Sequence, residues 1–308
     1  MVGSSNKRIP EMVDTNEQTL QLMEFVVSGG HFGINVAKVS EIMKYSQYPI
    51  TPMPNSNPFV EGIFRPRTET MTVINLAAYM GLPPSEDEER DILIITKLNN
   101  VETAFHVHGV ETIDAIRMSD IEKPDTTIYG GEEGMATGIA KHNDKLITIV
   151  DFEKILIDIS PNLGFSPSDV DSLGMRSRST KPILIVEDSP ILERSILGSM
   201  EKAGFVNAIM VSNGKEAWDY LERFRGSEGP LEEHVCAVVT DIEMPLMDGY
   251  TLLRKIKEDK DFKRLPVVVF SSLVTEEYRE QGERLGAVAC ISKPEINKLI
   301  TILDEHIL

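Results

Sequence analysis

Between residues 181 and 308, four apolar runs each break off into a polar group, and this repeated ending constrains the fold more than any other feature of the chain. Ala237-Val238-Val239-Thr240 stops at Asp241, and Ile183-Leu184-Ile185-Val186 stops at Glu187-Asp188. Pro266-Val267-Val268-Val269-Phe270 gives way to Ser271-Ser272, and Val288-Ala289-Cys290-Ile291 to Ser292-Lys293-Pro294. Short apolar runs that end at an acid, a Pro or a Gly read as buried strands entering polar loops. Helix-like segments lie among them: Pro190 to Ala203, Lys215 to Phe224, Tyr250 to Asp259 and Glu276 to Leu285. Alternating strands and helices predict a parallel, doubly wound α/β sheet. Sites in such sheets lie beyond the carboxyl ends of the strands, so the four polar endings are expected to meet on one edge.

The chemistry of that meeting follows from the residue types. Glu187, Asp188 and Asp241 drawn together repel one another unless a cation or a proton intervenes, and a hard divalent ion with oxygen ligands, Mg2+ above all, suits them. Asp241 can then attack a phosphoryl group and form an aspartyl phosphate. The Lys293 ammonium and the Ser271 hydroxyl are suited to hold the phosphoryl oxygens.

Residues from about Lys181 to Leu308 resemble a response-regulator receiver domain. The resemblance is carried by the acidic pair Glu187-Asp188, the Asp-x-x-Met-Pro-x-Met-Asp-Gly block from Asp241 to Gly249, the Ser271 hydroxyl and Lys293-Pro294. It implies a flavodoxin-like domain with a parallel five-stranded sheet. Asp241 would be the phosphoacceptor, and Glu187, Asp188, Asp241 and the backbone carbonyl of Glu243 the Mg2+ ligands. Ser271 would be the switch hydroxyl and Lys293 the phosphate-binding lysine. Cys290 departs from the aromatic that many receivers place three residues before the lysine, which puts an aromatic rotamer switch in question.

The 308 residues, 41% of them hydrophobic, are enough for two domains with separate cores. Against 31 Lys and Arg stand 49 Asp and Glu, a formal charge of −18, which argues against a nucleic-acid surface or an anionic membrane. The two cysteines, Cys236 and Cys290, border apolar runs and are expected to be small buried thiols in a reducing cytoplasm. Residues 1–18 are polar and lack a signal-peptide core, and no run has the length of a membrane span. A soluble, cytoplasmic protein is expected.

From residue 19 to 160 the texture changes. Leu22 to Val27, Asp91 to Thr96, Thr103 to Val107 and Lys145 to Val150 read as short strands, separated by Ser28-Gly29-Gly30, Asn99-Asn100 and His142-Asn143-Asp144. Turn-linked short strands predict a mainly-β domain of one or two small barrels. Val36 to Met43 and Leu76 to Met80 read as helical pieces. No catalytic set assembles here, so a binding domain is expected. His106 and His108 fall on one strand face without a Cys or carboxylate cluster, which reads as a surface strand rather than a zinc site. Tyr129 to Gly134 reads as a loop and the acidic run Ser85 to Arg90 as a solvated connection.

The order of elements in this half is similar to the CheW family of chemotaxis adaptors. The matching pieces are Phe32-Gly33-Ile34 leading to Val39-Ser40-Glu41-Ile42, then Ile50 to Asn55, Asn57 to Ile63, Gly138 to Lys141 and Leu146 to Phe152. Arg67, in Arg65-Pro66-Arg67-Thr68, aligns with the arginine of that family's Asn-Leu-Arg-Gly motif, and the resemblance implies a receptor or kinase contact there. Residues 161–180, rich in Ser, Pro, Gly and Asp, read as a linker. Its roughly sixteen flexible residues, as a coil, reach about 20–25 Å. A CheW-like domain (19–160) followed by a receiver (181–308) resembles the CheV family of chemotaxis coupling proteins. That resemblance implies a cytoplasmic adaptor, associated with chemoreceptor arrays, that joins the receptors' cytoplasmic tip to the histidine kinase CheA. Phosphorylation at Asp241 would modulate it. A phosphate sink is the alternative. A phosphatase using an aspartyl phosphate is disfavoured, because position 243 is Glu where such an enzyme needs a second Asp. The protein is expected not to be an enzyme.

Overall fold

The computed structural model of the chain describes residues 19–99, 101–122, 134–161, 164–165, 167–174, 178–226 and 229–307. Segment 1–18 and the stretch Tyr129 to Glu133 lie outside the described residues.

The C-terminal half forms a parallel sheet of β12 (Ile183–Val186), β13 (Ala208–Val211), β14 (Ala237–Thr240), β15 (Val267–Ser271) and β16 (Ala289–Ser292), in the order β13-β12-β14-β15-β16. Period-two alternation divides its side chains between two cores. Ile183, Ile185, Val239, Phe270 and Ile291 face α3 (Pro190–Lys202) and α7 (Ile296–Ile307). Leu184, Val186, Val238 and Val269 face α4 (Gly214–Glu222) and α5 (Gly249–Glu258), with Tyr278 of α6 (Glu276–Arg284) at the border. The helices begin where the sequence supplies caps: Asn213, Asp248 and Thr275 accept from the backbone N–H groups of Glu216, Thr251 and Tyr278. Gly249 is required by close approach, because a Cβ there would lie 1.8 Å from the carbonyl oxygen of Asp241.

The N-terminal half holds two sheets. One runs β8 (Gly109–Arg117), β1 (Thr19–Val27), β2 (Gly30–Asn35), β11 (Lys145–Val150), β10 (Ala136–His142), β9 (Ile121–Glu122). The other runs β3 (Val39–Lys44), β6 (Ile92–Leu98), β7 (Val101–Val107), β5 (Met71–Asn75), β4 (Val60–Phe64). The Asn143-Asp144 turn has both residues at positive φ, 48° and 60°, as a tight hairpin between β10 and β11 demands. The short helix α1 (Leu76–Tyr79) lies where the sequence predicts one.

Three expectations are corrected here. Val36 to Met43 is not a helix: Asn35 caps a 3-10 turn at Val36–Lys38, and β3 then pairs antiparallel with β6. Its apolar residues happen to match helical spacing, but Val36, Val39 and Ile42 are β-branched and the partner strand supplies the missing hydrogen bonds. His106 is not on a surface strand. It is 6% exposed, with Nδ1 2.7 Å from Glu61, Nε2 2.8 Å from Asp91 and its ring stacked on Tyr45. Finally, the linker is no free coil: Phe165 and Val170 are buried in the receiver core, and the 3-10 segment Pro167–Leu173 packs on α3 and α7. Of the two thiols, Cys290 is buried and Cys236 only partly so.

α2 (Phe152–Ile159) has no counterpart among the helical pieces expected from the sequence. Asp151 caps it by accepting from the N–H of Lys154 at 2.9 Å. Phe152, Ile155 and Leu156 enter a core shared with Phe25 and Phe105, with Ile159 packed against it, the i, i+3, i+4, i+7 stripe of an amphipathic helix. Glu153 stands off that stripe and turns toward the receiver.

Candidate functional site at the carboxyl edge of the receiver sheet

In the order β13-β12-β14, the connections leave β12 on one side and β14 on the other, which opens a crevice at their carboxyl ends. Glu187 and Asp188 follow β12, Asp241 follows β14, and Ser292 and Lys293 close β16. Carboxylate oxygens of Glu187, Asp188 and Asp241 all lie within 4.8 Å of one another. Lys293, 1% exposed, places Nζ 2.7 Å from Asp241 Oδ2 and 3.0 Å from Glu187 Oε2. Asp241 Oδ1 also accepts from the Ile242 N–H at 2.6 Å, and Glu187 Oε1 from the Ser189 N–H at 3.2 Å. The structure thus brings together the acidic pair, Asp241 and Lys293. Ser271 is buried beside them at the end of β15, its Oγ accepting from the Leu273 N–H at 3.3 Å.

The electrostatics are those of a crowded anionic site. Burial, and then the charge of Asp241, pushes the Asp188 carboxyl up to about 8. Burial raises Glu187 well above the carboxylate range against the pull of Lys293. Burial by itself would lower the pKa of Lys293, since desolvation opposes its charge, but Asp241, Glu153 and Glu187 outweigh it and hold the ammonium protonated. Carboxylates that resist ionisation for want of positive charge are a donor set that fits a hard divalent cation. A second cluster, Glu24, His31 and Glu111, already has its cation: Lys145 Nζ lies 3.1 Å from Glu24 and 2.7 Å from Glu111.

The edge is not open to solvent on all sides, because the N-terminal half docks on it. Lys38 Nζ lies 3.0 Å from Glu153 and 3.1 Å from Glu243, and Asn35 Nδ2 donates to Glu243. Ser272 Oγ donates to Glu153 Oε1 at 2.6 Å, and Lys293 Nζ lies 3.5 Å from Glu153 Oε2. Leu273, in the loop after β15, is buried in the apolar cluster of Phe25, Phe105 and Phe152. A cavity of about 410 Å3 remains between the halves, floored by Asp188, Asp241 and Lys293 and walled by Asn35, Lys38 and Glu153. Burial lifts the Glu243 carboxyl to about 7 despite Lys38. Glu153 goes the other way: burial alone would raise it, but Lys293, Lys38 and the Ser272 hydrogen bond hold it at about 2.

The side chain of Glu243 therefore turns to the N-terminal half. Asn35, Lys38, Glu153 and Ser272 were not among the candidate residues of the sequence. Ser272 adjoins Ser271, and an Asp-capped apolar stripe at 151–159 marks α2, but nothing in the sequence ties Lys38 or Glu153 to a site over a hundred residues away. Arg67 does not line this cavity. It is 73% exposed and pairs with Glu41 at 2.9 Å. Position 290 holds Cys where α6 runs so close that a Cβ on Gly282 would lie 2.3 Å from its Sγ, which leaves no room for a ring.

Comparison with known proteins agrees with both halves. Residues 21–160 match the CheW-like domain family and residues 183–304 the response regulator receiver domain family. The chemotaxis protein CheV3 of Helicobacter pylori is 29% identical over 95% of this chain and 97% of its own length. Among solved structures, the scaffolding protein TtCheW of Thermoanaerobacter tengcongensis is 26% identical with a TM-score of 0.39, over 43% of this chain and 89% of its own. The receiver domain of the sensor histidine kinase PA1611 of Pseudomonas aeruginosa, solved with a magnesium ion in its active-site cleft, is 25% identical with a TM-score of 0.36, over 42% of this chain and 98% of its own. The chain thus joins a CheW-like domain to a response regulator receiver domain. That pairing, and a likeness that runs through both halves, it shares with the chemotaxis proteins CheV3 and CheV2 of Helicobacter pylori, the second 27% identical over 89% of each chain. No helix among the described residues is long and apolar enough to cross a membrane.

Proposed function

We propose that the protein is a chemotaxis adaptor that couples chemoreceptors to the histidine kinase CheA, with the coupling modulated by phosphorylation of Asp241. The observation that carries this reading is the convergence of Glu187, Asp188 and Asp241 on Lys293 in a chain whose other half is CheW-like.

Glu187, Asp188, Asp241 and the backbone carbonyl of Glu243 would hold Mg2+, which supplies positive charge to offset the carboxylates and an incoming phosphoryl group. An Asp241 carboxylate oxygen forms the bond to phosphorus as the P–N bond of the kinase's phosphohistidine breaks, and the electron pair stays on the imidazole. Lys293, already 2.7 Å from Asp241, follows the charge onto the phosphoryl oxygens, and the Ser271 hydroxyl donates to another. The gain of about −1.5 to −2 in charge at one strand end biases the loops after β14 and β15. Residues 19–160 act as the adaptor, 161–180 as the connection and 181–308 as the receiver. Arg67, exposed on the adaptor half, is the contact proposed for receptor or kinase.

The test is label transfer from phosphorylated CheA in the presence of Mg2+. Wild-type protein should take up label and Asp241→Asn should not; uptake by the variant at the wild-type rate sinks the assignment. The lifetime of the acyl phosphate in the same assay separates a modulated adaptor, which holds the label, from a sink, which loses it at once.

A further inference from the structure

The adaptor half delivers its own carboxylate to the place where the receiver is to hold a phosphoryl group. Glu153, 3% exposed on the first turn of α2, accepts from Ser272 Oγ at 2.6 Å and from Lys38 Nζ at 3.0 Å. Its other oxygen is buried, with no hydrogen bond, 3.5 Å from Lys293 Nζ. That ammonium is the one that Asp241 contacts at 2.7 Å. We propose that Glu153 is an intramolecular anion seated in the receiver's phosphoryl-binding pocket, so that docking of the adaptor half and phosphorylation of Asp241 exclude one another. The proposal rests on the phosphoacceptor reading of Asp241.

Three observations carry it. First, one ammonium serves three carboxylates, Asp241, Glu187 and Glu153. A phosphoryl group on Asp241 brings about −1.5 to −2 of charge and three acceptor oxygens to the same spot. Those oxygens need Lys293, and Glu153 is the partner that belongs to the other domain and can leave. Second, the positive charge at the interface is committed: Lys38 is held by Glu153 and Glu243, and Asp151 and Asp188 lie close by. More negative charge therefore raises repulsion across the interface faster than it finds new partners. Third, a buried ion pair contributes little net stability, because desolvation offsets most of its attraction. Such a contact is suited to be exchanged. Once Glu153 leaves, Lys38, Asn35 and the polar side of α2 come free, and so does the Leu273 loop. A charge at Asp241 is thereby converted into a change of exposed adaptor surface.

The experiment uses the full chain with Mg2+ and two small reagents, phosphoramidate as donor and beryllofluoride as a phosphoryl mimic. Beryllofluoride should speed amide hydrogen exchange in residues 152–159 by about 5- to 150-fold, the range of ordinary coupling between two sites. Because Glu153 and the phosphoryl oxygens compete for Lys293, Glu153→Gln should take up phosphoryl from phosphoramidate about 5-fold faster or more, the low end of ordinary coupling between two sites. Ser272→Ala, which removes the same contact from the receiver side, should shift the rate in the same direction. Circular dichroism and melting of each variant show that the fold is kept. If neither wild type nor variant incorporates phosphoryl, the phosphoacceptor reading falls and this one with it. If wild type, Glu153→Gln and Ser272→Ala incorporate it at equal rates, Asp241 stands as the acceptor and the exclusion is wrong. Slower exchange in residues 152–159 with beryllofluoride overturns it as well, since phosphorylation would then tighten the docking.

Discussion

Leu273→Ala is the perturbation that most directly tests how the two halves hold together. Leu273 is 4% exposed, and its apolar cluster is built from Phe25, Phe105, Phe152, Ile155 and Leu156 of the adaptor half. Burying a leucine contributes about 1.5–3 kcal/mol, and truncating one in a packed core costs about 2–5 kcal/mol. Because the side chain hangs from the receiver while its neighbours belong to the adaptor, the loss falls on docking rather than on either fold. A loss of about 2–3 kcal/mol weakens the docking equilibrium about 30- to 150-fold. Amide exchange in residues 152–159 reports the docked population, and small-angle scattering reports the separation. Exchange should quicken by a factor of that order while the receiver's own melting stays in place. Leu299→Ala provides the contrast: Leu299 is 0% exposed within the receiver core, so it should lower receiver melting instead. If Leu273→Ala lowers receiver melting as Leu299→Ala does and leaves exchange in residues 152–159 unchanged, Leu273 is a receiver core residue and the reasoning fails.

Two further outcomes are expected in the adaptor half. His106 is the group to follow with pH: burial opposes its charge, but hydrogen bonds and charge from Glu61 and Asp91 outweigh that and raise its pKa above the usual 6.5. Its contribution to stability is therefore full below the unfolded value of about 6.5 and is lost as pH rises through the raised value in the folded state; His106→Gln should flatten that decline in a urea series. Arg67→Glu should leave melting within about 0.5 kcal/mol of wild type, since an exposed ion pair to Glu41 contributes little, yet weaken capture of receptor or kinase in a pull-down. Unchanged capture removes Arg67 from the coupling surface.

If docking and phosphorylation compete, the receiver acts by releasing a surface rather than by building one. In the unphosphorylated chain the first turn of α2 and the Asn35 to Lys38 turn are engaged with Glu243, Ser272 and Lys293. The connecting segment stays packed on α3 and α7 through Phe165 and Val170. The receiver would then move with its connection attached, which shortens the free tether and keeps the local concentration of the two faces high.

The receiver was legible in the sequence because its signals are local. Four apolar runs, each followed at once by a polar group, specify strands, their direction and the edge at which their ends meet, and the helix-like segments between them formed helices capped by Asn213, Asp248 and Thr275. Parallel topology then brings Glu187, Asp188, Asp241 and Lys293 together without further information. The adaptor half was less legible. Val36 to Met43 carries helical spacing, and only pairing with β6 makes Val39–Lys44 a strand. His106 has nothing beside it in sequence to show that Glu61 and Asp91 will bury it. The contact between the halves was not legible at all, because Lys38, Glu153, Glu243 and Ser272 are ordinary polar residues until four separate elements set them within 3.1 Å of a partner. Periodicity and turn chemistry record which face of an element is buried. They carry no record of which charges on two separately folded surfaces will meet, since that depends on how the finished surfaces fit, and the tertiary structure alone decided it.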